Sequence, residues 1–381
     1  MATSAAPATH VPAAVRAAAA DRRARIALLA PHWLGDTFWA LQLVPFLRAA
    51  HPAGRLSAIV RPSNRWLAEL WLPSEAVLTP RSLLSDWRRE GLARLRSLAA
   101  DHRRLRRQLG AVDLLIDLSA TLPGALLGRG VTARVRYGAL GRSLWRFAYD
   151  GHRALAAFGG HLAELPWWLL APLYASHPAW PPAAVQRLPQ LPPRATSELA
   201  GGPGAPGETL CFPGAGWEAK RWPLERFAAL AVALAAAGEQ PALLCAPEER
   251  ALAAAAKQAV AHARRKQRVT ASIAVAVTSG PELLARIRAA RAVVTNDNGA
   301  AHLAAAAGRP TVVLFGPTHP LVCGPLGPRV HVLRADCAHR PEGARHCCGD
   351  RPGARCGEPC LASVSVGAVR AALAEALRAP A

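Results

Sequence analysis

The sequence predicts an α/β protein made of two domains, each with a parallel sheet. Apolar runs of strand length recur along the chain, helix-length segments fill the intervals between them, and one Pro/Gly-rich stretch splits the alternation into two rounds. At 381 residues the chain is long enough for two domains of ordinary size, each with its own core. Residues 24–175 read as the first domain, 176–207 as a linker and 208–381 as the second domain.

In the first round, Ile26–Ala30 reads as a buried strand, followed by a loop and a helix over Thr37–Ala50. Leu56–Val60 and Val112–Leu118 read as further strands, and Arg81–Arg107 as an arginine-rich helix. Residues 1–23 are rich in Ala, Pro and Thr and lack the basic-then-apolar order of a signal peptide, so a disordered extension is expected there. Pro178, Pro181, Pro182, Pro189, Pro192 and Pro193, with Gly201, Gly202, Gly204 and Gly207, mark the linker.

The second round begins with a strand at Thr209–Phe212 and a helix at Pro223–Ala237, with Pro at its start and Gly238 at its end. Strands follow at Ala242–Cys245, Ala292–Thr295 and Thr311–Phe315. Helices are expected at Glu248–Ala261, Pro281–Ala290, Ala301–Ala307 and, closing the chain, Val366–Leu377. In parallel α/β domains ligands bind at the carboxyl ends of strands, so a cleft between the two domains is the expected site.

The balance of 46 basic against 25 acidic residues, a formal +21, favours polyanions: nucleic acid, an anionic membrane surface or a phosphorylated substrate. No apolar run approaches the roughly 20 residues of a membrane span, and a cytoplasmic protein is expected. Leu162–Tyr174 is apolar enough to rest on a membrane surface or to pack within its own domain. Nine of the eleven Trp residues precede residue 181, which suits a sugar-binding face or a core. Cys211 and Cys245 fall in apolar runs as small buried thiols.

Three loops stand where ligands are expected. Pro31-His-Trp-Leu-Gly-Asp36 puts Asp36 at a helix entrance, as a helix cap or as a general base for an attacking hydroxyl. Phe212-Pro-Gly-Ala-Gly-Trp-Glu-Ala-Lys220 gives backbone access through Gly214 and Gly216. Lys220, one of three lysines in an arginine-dominated chain, is suited to a phosphate oxygen, or is a solvated side chain. Asn296-Asp297-Asn298-Gly299 delivers Asp297, Asn298 and Gly299 to a helix N-terminus. That is an anion site, or an ordinary turn capped by Asn298.

Leu34-Gly-Asp36, Lys220-Arg-Trp-Pro223, Asp297-Asn-Gly-Ala-Ala-His302-Leu-Ala and Leu314-Phe-Gly-Pro-Thr318 occur in this order, and together they resemble the family 9 glycosyltransferases, the lipopolysaccharide heptosyltransferases. The resemblance covers roughly residues 24–378. It implies a GT-B fold, with two Rossmann-like domains facing across a cleft, acceptor on the first and sugar nucleotide on the second. It implies inverting transfer of heptose from ADP-heptose to a phosphorylated glycolipid of the lipopolysaccharide inner core at the inner membrane. No cofactor is required, and no Asp-x-Asp motif is present to hold a metal–diphosphate pair. Asp36 becomes the catalytic base and Lys220 the diphosphate clamp. Asp297, Asn298, Gly299 and His302 line the donor site, with Glu248 or Glu249 on the donor ribose. Many relatives carry serines where His32-Trp33 and Asn298 stand here.

Cys337, Cys347, Cys348, Cys356 and Cys360 cluster late, as ligands for a structural zinc or iron, as reduced thiols or in a local disulfide. One branch of the family, acting on autotransporter proteins, is similar in holding iron, which makes a protein acceptor the alternative. A non-enzymatic nucleic-acid-binding protein is the second alternative. The arginines, however, are not interleaved with aromatics in any recognisable module, and nucleic acid is not expected as a partner.

Overall fold

The computed structural model describes residues 9–30, 33–81, 91–192, 207–336 and 360–380, and for 91–95 the backbone alone. The chain divides into two compact units, Met1–Pro189 and Gln190–Ala381.

The first unit carries a seven-stranded sheet of β1 (Thr9–His10), β2 (Arg25–Leu29), β3 (Arg55–Ile59), β4 (Val77–Leu78), β5 (Val112–Asp117), β6 (Ala133–Leu140) and β7 (Gly151–Ala154). Its spatial order is β1-β7-β6-β5-β2-β3-β4, parallel throughout except that β1 runs antiparallel to β7. The second unit carries β8 (Glu208–Phe212), β9 (Gln240–Cys245), β10 (Ala274–Val277), β11 (Ala292–Asn296), β12 (Thr311–Phe315) and β13 (Val330–Arg334). The order here is β10-β9-β8-β11-β12-β13, all parallel. Taken in chain order from β2 and from β8, both sheets follow the doubly wound 3-2-1-4-5-6 arrangement. In that topology the order reverses between the first strand and the fourth, and ligands bind beyond the carboxyl ends at that reversal. The reversal lies between β2 and β5 in the first unit and between β8 and β11 in the second. The expected α/β fold of two Rossmann-like units is the one observed.

The central strands are mostly apolar, as strands buried on both faces are. Every residue of β11 and β12 is buried, and Cys211, Trp222, Phe227, Val294, Leu314 and Leu373 share the second unit's core. The short helix Gly299–Ala306 is followed by Gly308, whose φ of +68° lets the chain reverse into β12.

Several expectations change. Residues 1–23 are not a disordered extension where the structure describes them. Thr9–His10 extends the sheet, and Ala13–Ala20 is a helix with Val15, Ala18 and Ala19 buried. Alanine runs look like low complexity, yet alanine is the strongest helix former, and its small face packs against β6 and the helix Leu165–Tyr174. The helix expected over Thr37–Ala50 is two, Leu34–Leu41 and Leu43–Ala50. Pro45 lacks an N–H and its ring would crowd the carbonyl of Leu41, so the first helix stops there. Part of the linker is structured, since Ala183–Arg187 is helical and belongs to the first unit. The apolar run Leu162–Tyr174 packs inward: Trp167, Leu169, Leu170 and Tyr174 are buried, and Tyr174 Oη meets His51 Nε2 at 2.9 Å. Trp39, Trp71 and Trp167 are likewise buried in the first unit, while Trp33 is half exposed.

Candidate functional site

In the second unit, the loops after β8 and β11 meet at the reversal of strand order. Asn296, the last residue of β11, is fully buried and ties them together. Its amide donates to Pro213 O (2.8 Å), and its Oδ1 accepts from the Trp222 N–H (3.0 Å). Trp222 is held in turn by its indole N–H to Val364 O, 2.9 Å, so the Lys220-Arg-Trp-Pro223 segment is fixed at its far end.

Beyond Asn296 stands Asp297, itself buried. Its Oδ2 is 2.5 Å from Lys220 Nζ and accepts from Thr318 Oγ1 at 2.6 Å. Lys220 Nζ also lies 4.4 Å from the ring centroid of Trp217, a cation–π contact that partly offsets the ammonium's loss of water. Burying such a pair costs desolvation, which its mutual attraction and hydrogen bonds offset.

Asn298 caps the helix Gly299–Ala306. Its Oδ1 accepts from the N–H groups of Ala300 (3.0 Å) and Ala301 (3.4 Å), and its amide donates to Gly214 O (2.8 Å). The sequence left open whether this turn is an anion site or an ordinary capped turn. Asn298 caps it, which takes two of the helix's first N–H groups away from an incoming anion. Gly214 has a second neighbour: a Cβ built on it would lie 2.1 Å from Glu249 Oε1. Of the two candidate glutamates, Glu249 therefore faces this loop, and its Oε2 accepts from Ala246 N at 3.0 Å, whereas Glu248 is exposed. His302 is buried in the helix after Asn298, and Gly216 is exposed at the tip of the β8 loop. The second unit thus gathers Gly214, Lys220, Glu249, Asp297 and Asn298 around one reversal point.

Sequence reasoning missed Asn296 and Thr318. Both lay inside quoted motifs, but a buried Asn at a strand end and a Thr three residues past a strand give no separate signal.

In the first unit, Asp36 sits in the first turn of Leu34–Leu41, half-buried beyond β2, with no side-chain cap from Trp33. Thr37 Oγ1 accepts from Asn64 Nδ2 at 2.8 Å, fixing this helix to the loop after β3. Arg61 from that loop stands 6.0 Å from the Trp33 ring. Beside β2, Asp117 ends β5 and is buried. Its carboxylate accepts from Ser119 N (2.7 Å) and Tyr149 Oη (2.8 Å), and burial pushes its pKa up. Arg61, Asp117 and Tyr149 were not singled out from the sequence.

Cys211 and Cys245 are buried, and their thiols are pushed up to about 12, which leaves them inert as nucleophiles. Of the late cluster, Cys337, Cys347, Cys348 and Cys356 lie outside the described residues. Cys360 lies against Gly316. Among the described residues no group of three His, Cys, Asp or Glu side chains could hold a metal.

The fold and these loops define a doubly wound α/β protein of the GT-B class, with a charged constellation at the strand reversal of its second unit. The chain belongs to glycosyltransferase family 9 (heptosyltransferase), whose model matches residues 102–350. Over 116 residues it is 34% identical to lipooligosaccharide heptosyltransferase 2 of Haemophilus influenzae, a stretch that spans 30% of this chain and 33% of that relative. Its fold is similar to that of ADP-heptose LPS heptosyltransferase II of Escherichia coli. The TM-score is 0.67 and the identity 22%, over 93% of this chain and 98% of that one. The E. coli heptosyltransferase WaaC, solved with ADP, gives the same TM-score and identity over 92% and 99%. At such identities these structures speak to the fold.

Proposed function

We propose that this protein is an inverting glycosyltransferase that moves a heptose from ADP-heptose to a phosphorylated glycolipid acceptor of the lipopolysaccharide inner core. The observation that carries the reading is the buried Lys220–Asp297 pair at the strand reversal of the second unit, beside Gly214 and Glu249. A neutral pair supplies a preorganised cation without leaving an uncompensated charge when the site is empty.

The scheme assigns one proton and one leaving group. An acceptor hydroxyl attacks the anomeric carbon of the donor sugar from the face opposite the diphosphate. The new glycosidic C–O bond forms as the bond to the diphosphate oxygen breaks, and ADP leaves with that electron pair. Asp36 takes the hydroxyl proton. Negative charge grows on the diphosphate as the bond breaks, and Lys220 stabilises it by sharing its ammonium between Asp297 and the phosphate oxygens. Glu249 receives the donor ribose hydroxyls, and Asp297, Asn298, Gly299 and His302 border the sugar nucleotide. No metal is assigned a role. On this reading the enzyme works in the cytoplasm, peripheral to an anionic membrane.

A thermal-shift screen across ADP-, GDP- and UDP-sugars, followed by a transfer assay, tests it, because ligand that binds only the folded state raises its apparent stability. Selective stabilisation by ADP and ADP-heptose is expected. Absence of both binding and transfer with every nucleotide sugar defeats the reading.

A further inference from the structure

We propose that the short 3₁₀ segment Ser143–Ala148 of the first unit is the surface that rests on an anionic lipid bilayer, with Leu144 and Phe147 entering the headgroup layer and Arg142 and Arg146 meeting lipid phosphates. The inference rests on the reading of a lipid-anchored acceptor, and it supplies the surface that the inward-packed run Leu162–Tyr174 does not.

The geometry starts from the helix type. A 3₁₀ helix has three residues per turn, so side chains three apart stand on one edge. Leu144 and Phe147 are so spaced, and they are 79% and 58% exposed, among the most exposed large apolar side chains of the described residues. Arg142 and Arg146 flank them and are exposed as well. One acidic residue nearby, Asp150, is already engaged as acceptor from the Arg136 N–H at 2.7 Å.

The segment is also fixed in place, so its apolar edge does not fold back on the protein. At its start, the space where a Gly141 Cβ would sit is closed by Ala120 O at 2.3 Å and the Trp145 ring at 2.9 Å. At its end, Tyr149 donates to the buried Asp117. A rigidly displayed apolar pair with cationic neighbours is the chemistry of an interfacial anchor. Charge complementarity chooses lipid over a neutral partner: the first unit carries 24 arginines against 11 acidic residues. The segment follows the carboxyl end of β6, the same end of the sheet from which the Asp36 loop leaves β2. A bilayer seated on that edge would present a membrane-anchored hydroxyl toward Asp36.

The test is co-sedimentation of the full chain with vesicles of phosphatidylcholine alone and of phosphatidylcholine with phosphatidylglycerol. The wild type should bind the anionic vesicles preferentially. L144S/F147S should weaken that binding by about tenfold. R142Q/R146Q should weaken it by about thirtyfold on anionic vesicles and leave neutral vesicles unaffected. Unchanged ADP-induced stabilisation in both variants would show that fold and donor site are intact. Wild-type protein that ignores anionic vesicles, or L144S/F147S that binds them normally, overturns the proposal. So does L144S/F147S that loses transfer at unchanged vesicle binding, since the segment would then meet the acceptor or a protein. Vesicle binding is read without turnover, so a wrong donor or a wrong base leaves this result standing on its own.

Discussion

The two units share one topology and furnish its reversal point in opposite ways. In the second unit the loops after β8 and β11 are knitted by Asn296, Asn298 and the Lys220–Asp297 pair. In the first unit Asp36 is half-buried, and the fixed polar group, Asp117 with Tyr149, lies one strand away, on β5. A site that must hold a multiply charged nucleotide gains from rigid, preorganised charges. In the proposed scheme the first unit instead offers the half-buried Asp36 carboxylate to the acceptor hydroxyl.

The contrast can be broken most sharply at Asp36. Replacing it with Ala should lower turnover by about a thousandfold while ADP affinity, read by calorimetry, stays within the error of the wild type. Full activity in D36A would remove the first unit from the chemistry.

Lys220→Ala should act on both quantities at once. Turnover should fall by about a hundredfold and ADP affinity by about tenfold. It also leaves Asp297 buried without its cation, at a cost of about 3–5 kcal/mol in urea unfolding. Loss of stability alone, with ADP affinity intact, would make the pair purely structural.

Gly214→Ala asks a finer question, because its Cβ would meet the end of a flexible glutamate rather than backbone. The fold should tolerate it, with Glu249 displaced and ADP affinity reduced by about tenfold, worth about 1.4 kcal/mol. An unchanged affinity would take Glu249 out of the donor site.

The smallest effect is expected at Asp117. Its folded pKa is raised by burial, so the protonated form is favoured in the native state. Its contribution is fully present below the ordinary aspartate range and is lost as pH rises through the elevated folded value. Asp117→Asn removes that titration. Relative to wild type, the variant should gain stability as pH climbs through this window. Parallel unfolding curves of the two proteins across pH would contradict the assignment.

Much of this was legible in the sequence where local and global signals agree. Continuous apolar runs marked β2, β5, β8, β11 and β12, and motifs at their ends named Asp36, Lys220 and Asp297. Strands with weaker patterns escaped: β10 and β13 are edge strands whose residues are only partly buried, so their sequences lack the unbroken apolar signature. The helix Ala13–Ala20 escaped because its reason to exist is a partner more than a hundred residues away, where Arg16 donates to Pro172 O at 3.1 Å. Thr318 and Asn296 escaped for a related reason, since their value comes from the buried groups they touch.

Among the described residues, both rims of the first sheet end in two-residue strands, β1 on one side and β4 on the other. Unpaired backbone along a sheet margin is a template on which another chain can add a strand, and a margin this short offers almost no ladder to extend. On the β7 side that margin is made by Thr9 and His10, and without them the outer backbone edge of β7 would be bare to a second chain.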